Sequence, residues 1–273
     1  MNDNKCAPNN SFHNGSCISL DLLKKITIAY NENENNSNKI NLNYKNEDKL
    51  KQNLLKELKK KLGENEQLWI KNKSLKLLSK NDYDILLNNT FRPKGPQGQF
   101  EWLSTLDINK VLYQYEQKYD DFKFLGAVPI DFMDLDYLIF NKINFKELEK
   151  NNLKKFGVIF NLDESWKNGS HWVSLFFDLQ KGQIYFSDSF AIEPEQRIID
   201  FINIIEKYLK YNKKITNIDK KYNKTRHQKG NSECGVYSIN FILRLLKGKT
   251  FDHVTRKRLD DNKVNKCRLI YFK

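Results

Sequence analysis

Apolar residues along the chain recur in two different periods. In "SLDLLKKITIAYN" (19–31) and "KLKQNLLKELKKKLG" (49–63) they return every three to four positions, which predicts helices. The linker "NENENNSNK" between them is too polar to pack. "FRPKGPQGQFEW" then places Pro93, Gly95, Pro96 and Gly98 within a few residues, a turn or linker signal that sets a boundary between residues 1–95 and 96–273. Beyond it "WLSTLDINKVLYQYEQKY" reads as a helix with Leu106, Val111, Leu112 and Tyr115 available for one face. "KKFGVIFNLD", "HWVSLFFDLQ" and "GQIYFSDSF" are short, rich in β-branched and aromatic residues and bounded by turn residues, so they predict three strands. "PEQRIIDFINIIEKYLKYN" follows as a helix, with Pro194 near its first turn and Ile198, Phe201, Ile202, Ile205 and Leu209 on one face. "KTRH" predicts a short strand, Cys234 to Lys247 a helix closed by Gly248, and "CRLIYF" a last strand. Strands in a run flanked by helices indicate an α+β fold, preceded by a small helical domain over 1–95.

Composition changes this picture little. The 273 residues, 39% of them hydrophobic, are enough for one large domain or two small ones. The opening "MNDNKCAPNNSF" has neither the basic patch nor the apolar run of a leader, and no window approaches the roughly 18 apolar residues of a membrane span, so an intracellular protein with no membrane partner is expected. The net charge of +13 invites a nucleic-acid reading, but the excess is mostly Lys dispersed among Asn and Ile. DNA binding through this basic surface is therefore expected only as an accessory property. Cys6, Cys17, Cys234 and Cys267 are too few and scattered for a disulfide framework and are read as free thiols. Cys6, His13 and Cys17, spaced C-x6-H-x3-C, match no standard zinc pattern and lack a clear fourth ligand, so no metal or other cofactor is called for.

The chemistry concentrates around "HQKGNSECGVYSINFILRLLKG" (227–248), where a polar run gives way to an apolar helical one at Cys234. An inert buried cysteine belongs in the middle of such a run; one at its polar edge meets the unpaired N–H groups and positive end of the helix, which favour a thiolate. A nucleophilic cysteine needs a base and a group to orient it. His171 opens a predicted strand that runs through "DLQKG" into the next, and a hairpin centred near Leu179 and Gln180 places His171 across from Asp188 or Ser189. A carboxylate there would fix the imidazole tautomer and favour its protonated form. Gln228, in the loop leading to Cys234, can stabilise an oxyanion together with the Cys234 backbone N–H. Gly235 leaves the approach to the thiol uncluttered. His227, although next to Gln228, is not the expected base.

The order His171, Asp188, Gln228, Cys234, with "HW" opening a strand, "DS" closing the next and "Q-x5-CG" before a helix, resembles the cysteine proteases of the adenovirus proteinase and SUMO-protease group. "WLSTLDIN" is similar to the "WLND-x-x-IN" element of SUMO proteases, with Trp102, Leu103, Ile108 and Asn109 in matching places. The "CAP" and "GSC" near the start and the "RHQ…ECG" wording look most similar to proteases of large cytoplasmic DNA viruses, African swine fever virus among them. The resemblance covers about residues 96 to 273. It implies a papain-like-chemistry core with a central mixed β-sheet flanked by helices, His171 as base, Asp188 as its orienter, Cys234 as nucleophile and Gln228 as oxyanion donor. It further implies that Trp172 and Trp102 flank a narrow channel, and that a Gly-Gly-containing polyprotein is cut after Gly-Gly in the virion and host cytoplasm. Ser104 and Thr105 depart from the "ND" of SUMO proteases, and Glu233 stands where they carry Asp. An isopeptidase acting on a ubiquitin-like modifier is the alternative, and an inactive scaffold or basic nucleic-acid-binding protein a third reading.

Overall fold

The computed structural model describes residues 5–273, so the first four residues of the stretch read above for a leader lie outside the described residues. Among the described residues the chain forms two compact units, one up to Pro93 that also takes in Lys273 and one over Lys94–Phe272. In the first, the three-to-four spacing folds into α1 (Leu20–Glu32) and α2 (Glu47–Leu62), whose first turns are capped by the side chains of Ser19 and Asn46. Leu22, Leu23 and Ile26 of α1 and Leu50, Leu54 and Leu58 of α2 share a core with Trp69 and Leu75, and a short helix, α3 (Lys80–Asp84), follows.

Two of the four thiols expected to be free are not. Cys6 and Cys17 form a disulfide with Cα atoms 5.3 Å apart. Between them Asn14 and Gly15, both at positive φ (49° and 91°), turn the chain so that His13 and Ser16 exchange backbone hydrogen bonds of 3.2 and 3.3 Å. The Asn-Gly pair brings the two cysteines together, and reading the cysteine spacing alone overlooks it. Cys234 and Cys267 are free among the described residues.

The second unit runs α4 (Thr105–Glu116), β1 (Phe122–Pro129), α5 (Phe145–Lys150), β2 (Lys155–Asn161), β3 (Trp172–Asp178), β4 (Gln183–Ser187), α6 (Gln196–Tyr211), β5 (Asp219–Tyr222), α7 (Cys234–Leu246), α8 (Phe251–Thr255), α9 (Asp261–Asn265) and α10 (Arg268–Tyr271). The strands form one mixed sheet in the order β1-β2-β3-β4-β5. β2, β3 and β4 are antiparallel neighbours, while β1 and β5 add in parallel at the two edges. Side chains alternate across it. Trp172 and Phe176 of β3 join a core with Ile108 and Leu112 of α4 and Val236, Ile239 and Ile242 of α7. Val173, Leu175 and Phe177 enter a second core on Ile198, Phe201, Ile202, Ile205 and Leu209, the face predicted for α6. A strand covered on both faces is apolar throughout, which is why "WVSLFF" shows little alternation. α7 is apolar nearly all round and lies buried, as such a helix must.

Three local expectations give way to the tertiary structure, and one strand forms where none is predicted. "CRLIYF" is helical: Arg268 and Tyr271 are buried while Leu269 and Ile270 between them are exposed, a helical and not a strand period. The short strand is Asp219–Tyr222, before "KTRH", and its lysines are those of a sheet edge. "FKFLGAVP" is the strand β1, its register broken between Phe124 and Gly126, where Gly126 sits at φ 120°. Leu106 is exposed, and Ile108 takes its place on the buried face of α4.

No helix among the described residues is long and apolar enough to cross a membrane. α7 reaches the sheet closely because Gly157 of β2 has no side chain: a Cβ there would lie 3.2 Å from Ile242 Cδ1 and 3.2 Å from Phe122 Cζ. Gly157→Val is expected to destabilise the protein by about 1–3 kcal/mol through overpacking. Urea denaturation checks this, an unshifted midpoint being the contrary result.

Candidate active site

The site assembles where β3 begins, β4 ends and α7 begins. His171 immediately precedes β3 and Asp188 immediately follows β4. Their side chains meet, with the ring Nε2 2.7 Å from Asp188 Oδ1. Only a protonated Nε2 can bond to a carboxylate, so this contact sets the tautomer and leaves Nδ1 for other work. The hairpin centre falls one residue later than the sequence predicts, because Ser174 pairs with Ser187 and Asp178 with Gln183. Continued outward, that register sets His171 opposite Phe190, and the two rings stack with centroids 4.8 Å apart. A two-residue change of partner keeps the same face, so Asp188 still reaches the ring, from a diagonal position.

Asp188 is held firmly. Its Oδ1 also accepts the Phe190 N–H at 2.8 Å, while Asn223, just beyond β5, accepts the Asp188 N–H at 2.9 Å and donates to its carbonyl at 2.7 Å. Nothing in the local pattern of the sequence marks Asn223, because its role depends on β5 adding in parallel beside β4. The imidazole's own surroundings pull in opposite directions. Burial, the largest influence, disfavours its charged form; the hydrogen bonds to Asp188 and Cys234 and the charges of both outweigh it and push the ring up to about 9.

Cys234 lies at the first turn of α7 and is buried. No side chain caps this helix, so its leading N–H groups are left for a ligand. Gln228 is fully buried, its Oε1 accepting from Ser189 Oγ at 2.6 Å and its Nε2 donating to the Gly230 carbonyl at 2.8 Å. An amide nitrogen carries two hydrogens, so one remains to donate. Asp261 fixes the same loop by accepting the Lys229 and Gly230 N–H groups at 3.1 and 3.0 Å. His227 is structural, as expected of a residue that is not the base. Its Nδ1 accepts the Leu259 N–H at 2.9 Å, and burial, then the charges of Arg244 and Arg258, keep it neutral by lowering its pKa.

A groove of about 620 Å³ opens beside this cluster, lined by Trp102, Thr105, Tyr137, Asn161, Gly169 and Trp172 among others. Trp172 is buried and its indole N–H donates to the Leu103 carbonyl at 3.0 Å, whereas the neighbouring Trp102 is half exposed. Gly235 is needed for packing: a Cβ there would stand 3.1 Å from Leu103 Cβ and 3.3 Å from Trp172 Cδ1. Ser104 caps α4 in a reciprocal arrangement with Asp107, and Asn109 accepts the Ala127 N–H at 2.8 Å, which explains those positions of the "WLSTLDIN" element.

Comparison with known proteins gives the family. A model of the Ulp1 protease family C-terminal catalytic domain matches residues 146–273. A protein of Acanthamoeba polyphaga mimivirus, assigned as a thiol protease, is 36% identical over 290 residues, spanning 99% of this chain and 93% of the mimivirus protein. The chain belongs to the Ulp1 protease family. This Ulp1-family chain is accordingly a cysteine protease, with relatives in large DNA viruses. The SUMO-1 cysteine protease of African swine fever virus is 26% identical over 204 residues, 68% of this chain and 73% of that protein. The crystal structure of the African swine fever virus protease superimposes with a TM-score of 0.69 at 20% identity, covering 98% of this chain and 95% of that one, so the two share one α+β fold.

The raised pKa of His171 has two consequences. Its imidazolium is the form that can protonate a leaving amine, so the alkaline limb of kcat/KM is expected near pH 9, measured on a peptide substrate. A histidine raised from 6.5 to about 9 contributes stability that is full below 6.5 and is lost as pH rises through 9. The stability gap between the parent and His171→Gln should therefore shrink across that window in denaturant titrations. A gap that widened would contradict the assignment.

Proposed function

We propose that the protein is an endopeptidase that cuts polyproteins after Gly-Gly during virion maturation, in the virion and host cytoplasm. Cys234, His171, Asp188 and Gln228 carry the reaction. The observation that carries this reading is the convergence at one end of the sheet of the Asp188-held imidazole, an uncapped helix start bearing a thiol, and a groove walled by Trp102 and Trp172.

The Cys234 thiolate attacks the carbonyl carbon of the second glycine, and the resulting oxyanion is met by the Cys234 backbone N–H and the free amide hydrogen of Gln228. Protonated His171 gives its Nδ1 proton to the departing amine as the C–N bond breaks, leaving a thioester. Water then loses a proton to His171 and adds to the thioester carbonyl. Collapse releases the carboxylic acid and restores the thiolate, which His171 again accompanies as imidazolium. In this reading the substrate passes between Trp102 and the buried Trp172, whose indole N–H donates to the Leu103 carbonyl, and planar indole walls favour residues lacking a Cβ.

The alternative, removal of a ubiquitin-like modifier, shares these residues and differs in the surface that holds the substrate. The African swine fever virus relative is named a SUMO-1 cysteine protease. Against this alternative here, Ser104 and Thr105 replace the asparagine and aspartate of SUMO proteases, and Ser104 is occupied in capping α4.

Cys234→Ser is expected to abolish cleavage of a Gly-Gly-containing polyprotein without loss of fold. Gln228→Glu, which keeps the acceptor for Ser189 but exchanges the donor for a second acceptor, is expected to lower kcat by about 10²–10³. Gel-based cleavage assays with circular dichroism check both. A fully active Cys234→Ser ends the proposal, and release of a SUMO- or ubiquitin-like modifier without polyprotein cleavage favours the isopeptidase.

A further inference from the structure

The chain buries a guanidinium completely, and the chemistry described so far makes no use of it. Arg268, at the start of α10, has no exposed surface. Its Nε donates to Asn265 Oδ1 at 2.9 Å, and its two terminal nitrogens donate to three carbonyls: Pro96 at 3.4 Å, Glu101 at 2.6 Å and Ser232 at 3.2 Å. Asn265 continues the chain of bonds, its Nδ2 donating to Glu233 Oε1 at 3.1 Å. The carboxylate of Glu233, itself buried, also accepts from the Ser232 hydroxyl at 2.8 Å and the Ser232 N–H at 3.1 Å. It lies so close to Gly230 that a Cβ there would stand 2.7 Å from it. Burial lowers the Arg268 pKa, and the opposing charge of Glu233 is the foremost group raising it.

Two endpoints of this network adjoin residues of the site. Glu101 precedes Trp102 in the groove wall, while Ser232 and Glu233 precede Cys234. One planar fork therefore ties the backbone of the wall to the backbone that leads into the nucleophile. Lysine cannot do this, because its donors radiate from a single nitrogen on a flexible stem. A buried ionic network seldom stabilises more than apolar residues of the same volume, so stability alone does not account for it.

We propose that Arg268, Asn265 and Glu233 are positioning residues, a buried strut that holds the Trp102 wall and the first turn of α7 at the separation the substrate requires. This rests on the cysteine-protease reading of the site and assigns a catalytic consequence to residues remote from the sulfur.

The test uses the full chain as Arg268→Lys and as the apolar triple variant Glu233→Met, Asn265→Leu, Arg268→Met. Misplacement of a groove wall by about 1 Å costs on the order of 10²-fold, so kcat/KM on a Gly-Gly peptide is expected to fall about 10–100-fold in both variants. Alkylation of Cys234 by iodoacetamide, which needs no groove, should stay within about threefold of the parent. The triple variant should match or exceed the melting temperature of Arg268→Lys while remaining as inactive, which a merely structural role would not produce. Amide hydrogen exchange at Ser104, whose N–H is bonded to Asp107, and over residues 237–239, where the α7 hydrogen bonds begin with Tyr237 N–H to the Glu233 carbonyl, should accelerate together by about tenfold or more in Arg268→Lys. The strut is refuted by unchanged exchange at those segments, by kcat/KM within about twofold of the parent, or by a loss that tracks the unfolded fraction and vanishes on cooling. A parent chain that fails to cut the peptide would refute the Gly-Gly reading instead, and the exchange measurement would still decide for or against the strut.

Discussion

The bond between His171 and Asp188 is the contact on which the function of the site depends. Burial alone would strip the proton from the imidazole, and a neutral ring could neither stand beside a thiolate as its counterion nor protonate a leaving amine. A carboxylate 2.7 Å away, itself buried and bonded through its backbone to Asn223, leads the interactions that, with Cys234, reverse that preference. Much of the surrounding structure serves to keep that carboxylate in place. The β3–β4 hairpin brings its strand to the ring, β5 carries Asn223 alongside, and Phe190 lies flat against the imidazole.

The same economy of contacts extends to the nucleophile. Gly157 lets α7 approach the sheet, and Gly235 lets its first turn lie against Leu103 and Trp172. The Trp172 indole is bonded to the Leu103 backbone, so the start of β3, the start of α7 and the wall of the groove form one packed unit. Cys234 gains its place from this packing and keeps the open N-terminus of its helix because no side chain caps it. The Gln228 amide is gripped on one side by Ser189 and on the other by Gly230, which leaves a single hydrogen to offer.

The parts of this arrangement most legible in the sequence were those written in periodicity. The α6 face and the limits of α7 follow from apolar spacing and from Gly248, and three of the five strands follow from β-branched runs. What the local pattern could not carry depended on neighbours distant in sequence. β5 is a lysine-rich strand only because β4 offers it an edge, and β1 is broken by a bulge at Gly126. "CRLIYF" has strand-like composition, yet it coils so that Arg268 and Tyr271 turn inward. The hairpin register was displaced by one residue at its centre, an error that left the facing of Asp188 intact because sheets alternate with period two. The Cys6–Cys17 bond was hidden for a different reason: its signal is the Asn14–Gly15 turn, not the cysteine spacing. Asn223 and Arg268 carry no signature at all, since a buried polar residue is recognised only by the partners a fold brings to it.

The most direct test of this account is covalent mapping. The protein would be treated with a peptide ending in Gly-Gly and a thiol-reactive electrophile, digested, and sequenced by mass spectrometry. The account predicts a single adduct on Cys234, formed in the parent and strongly slowed in Asp188→Asn, with Cys267 left unmodified. An adduct on Cys267 with Cys234 untouched, or labelling of Cys234 at the same rate after loss of the Asp188 carboxylate, would contradict it.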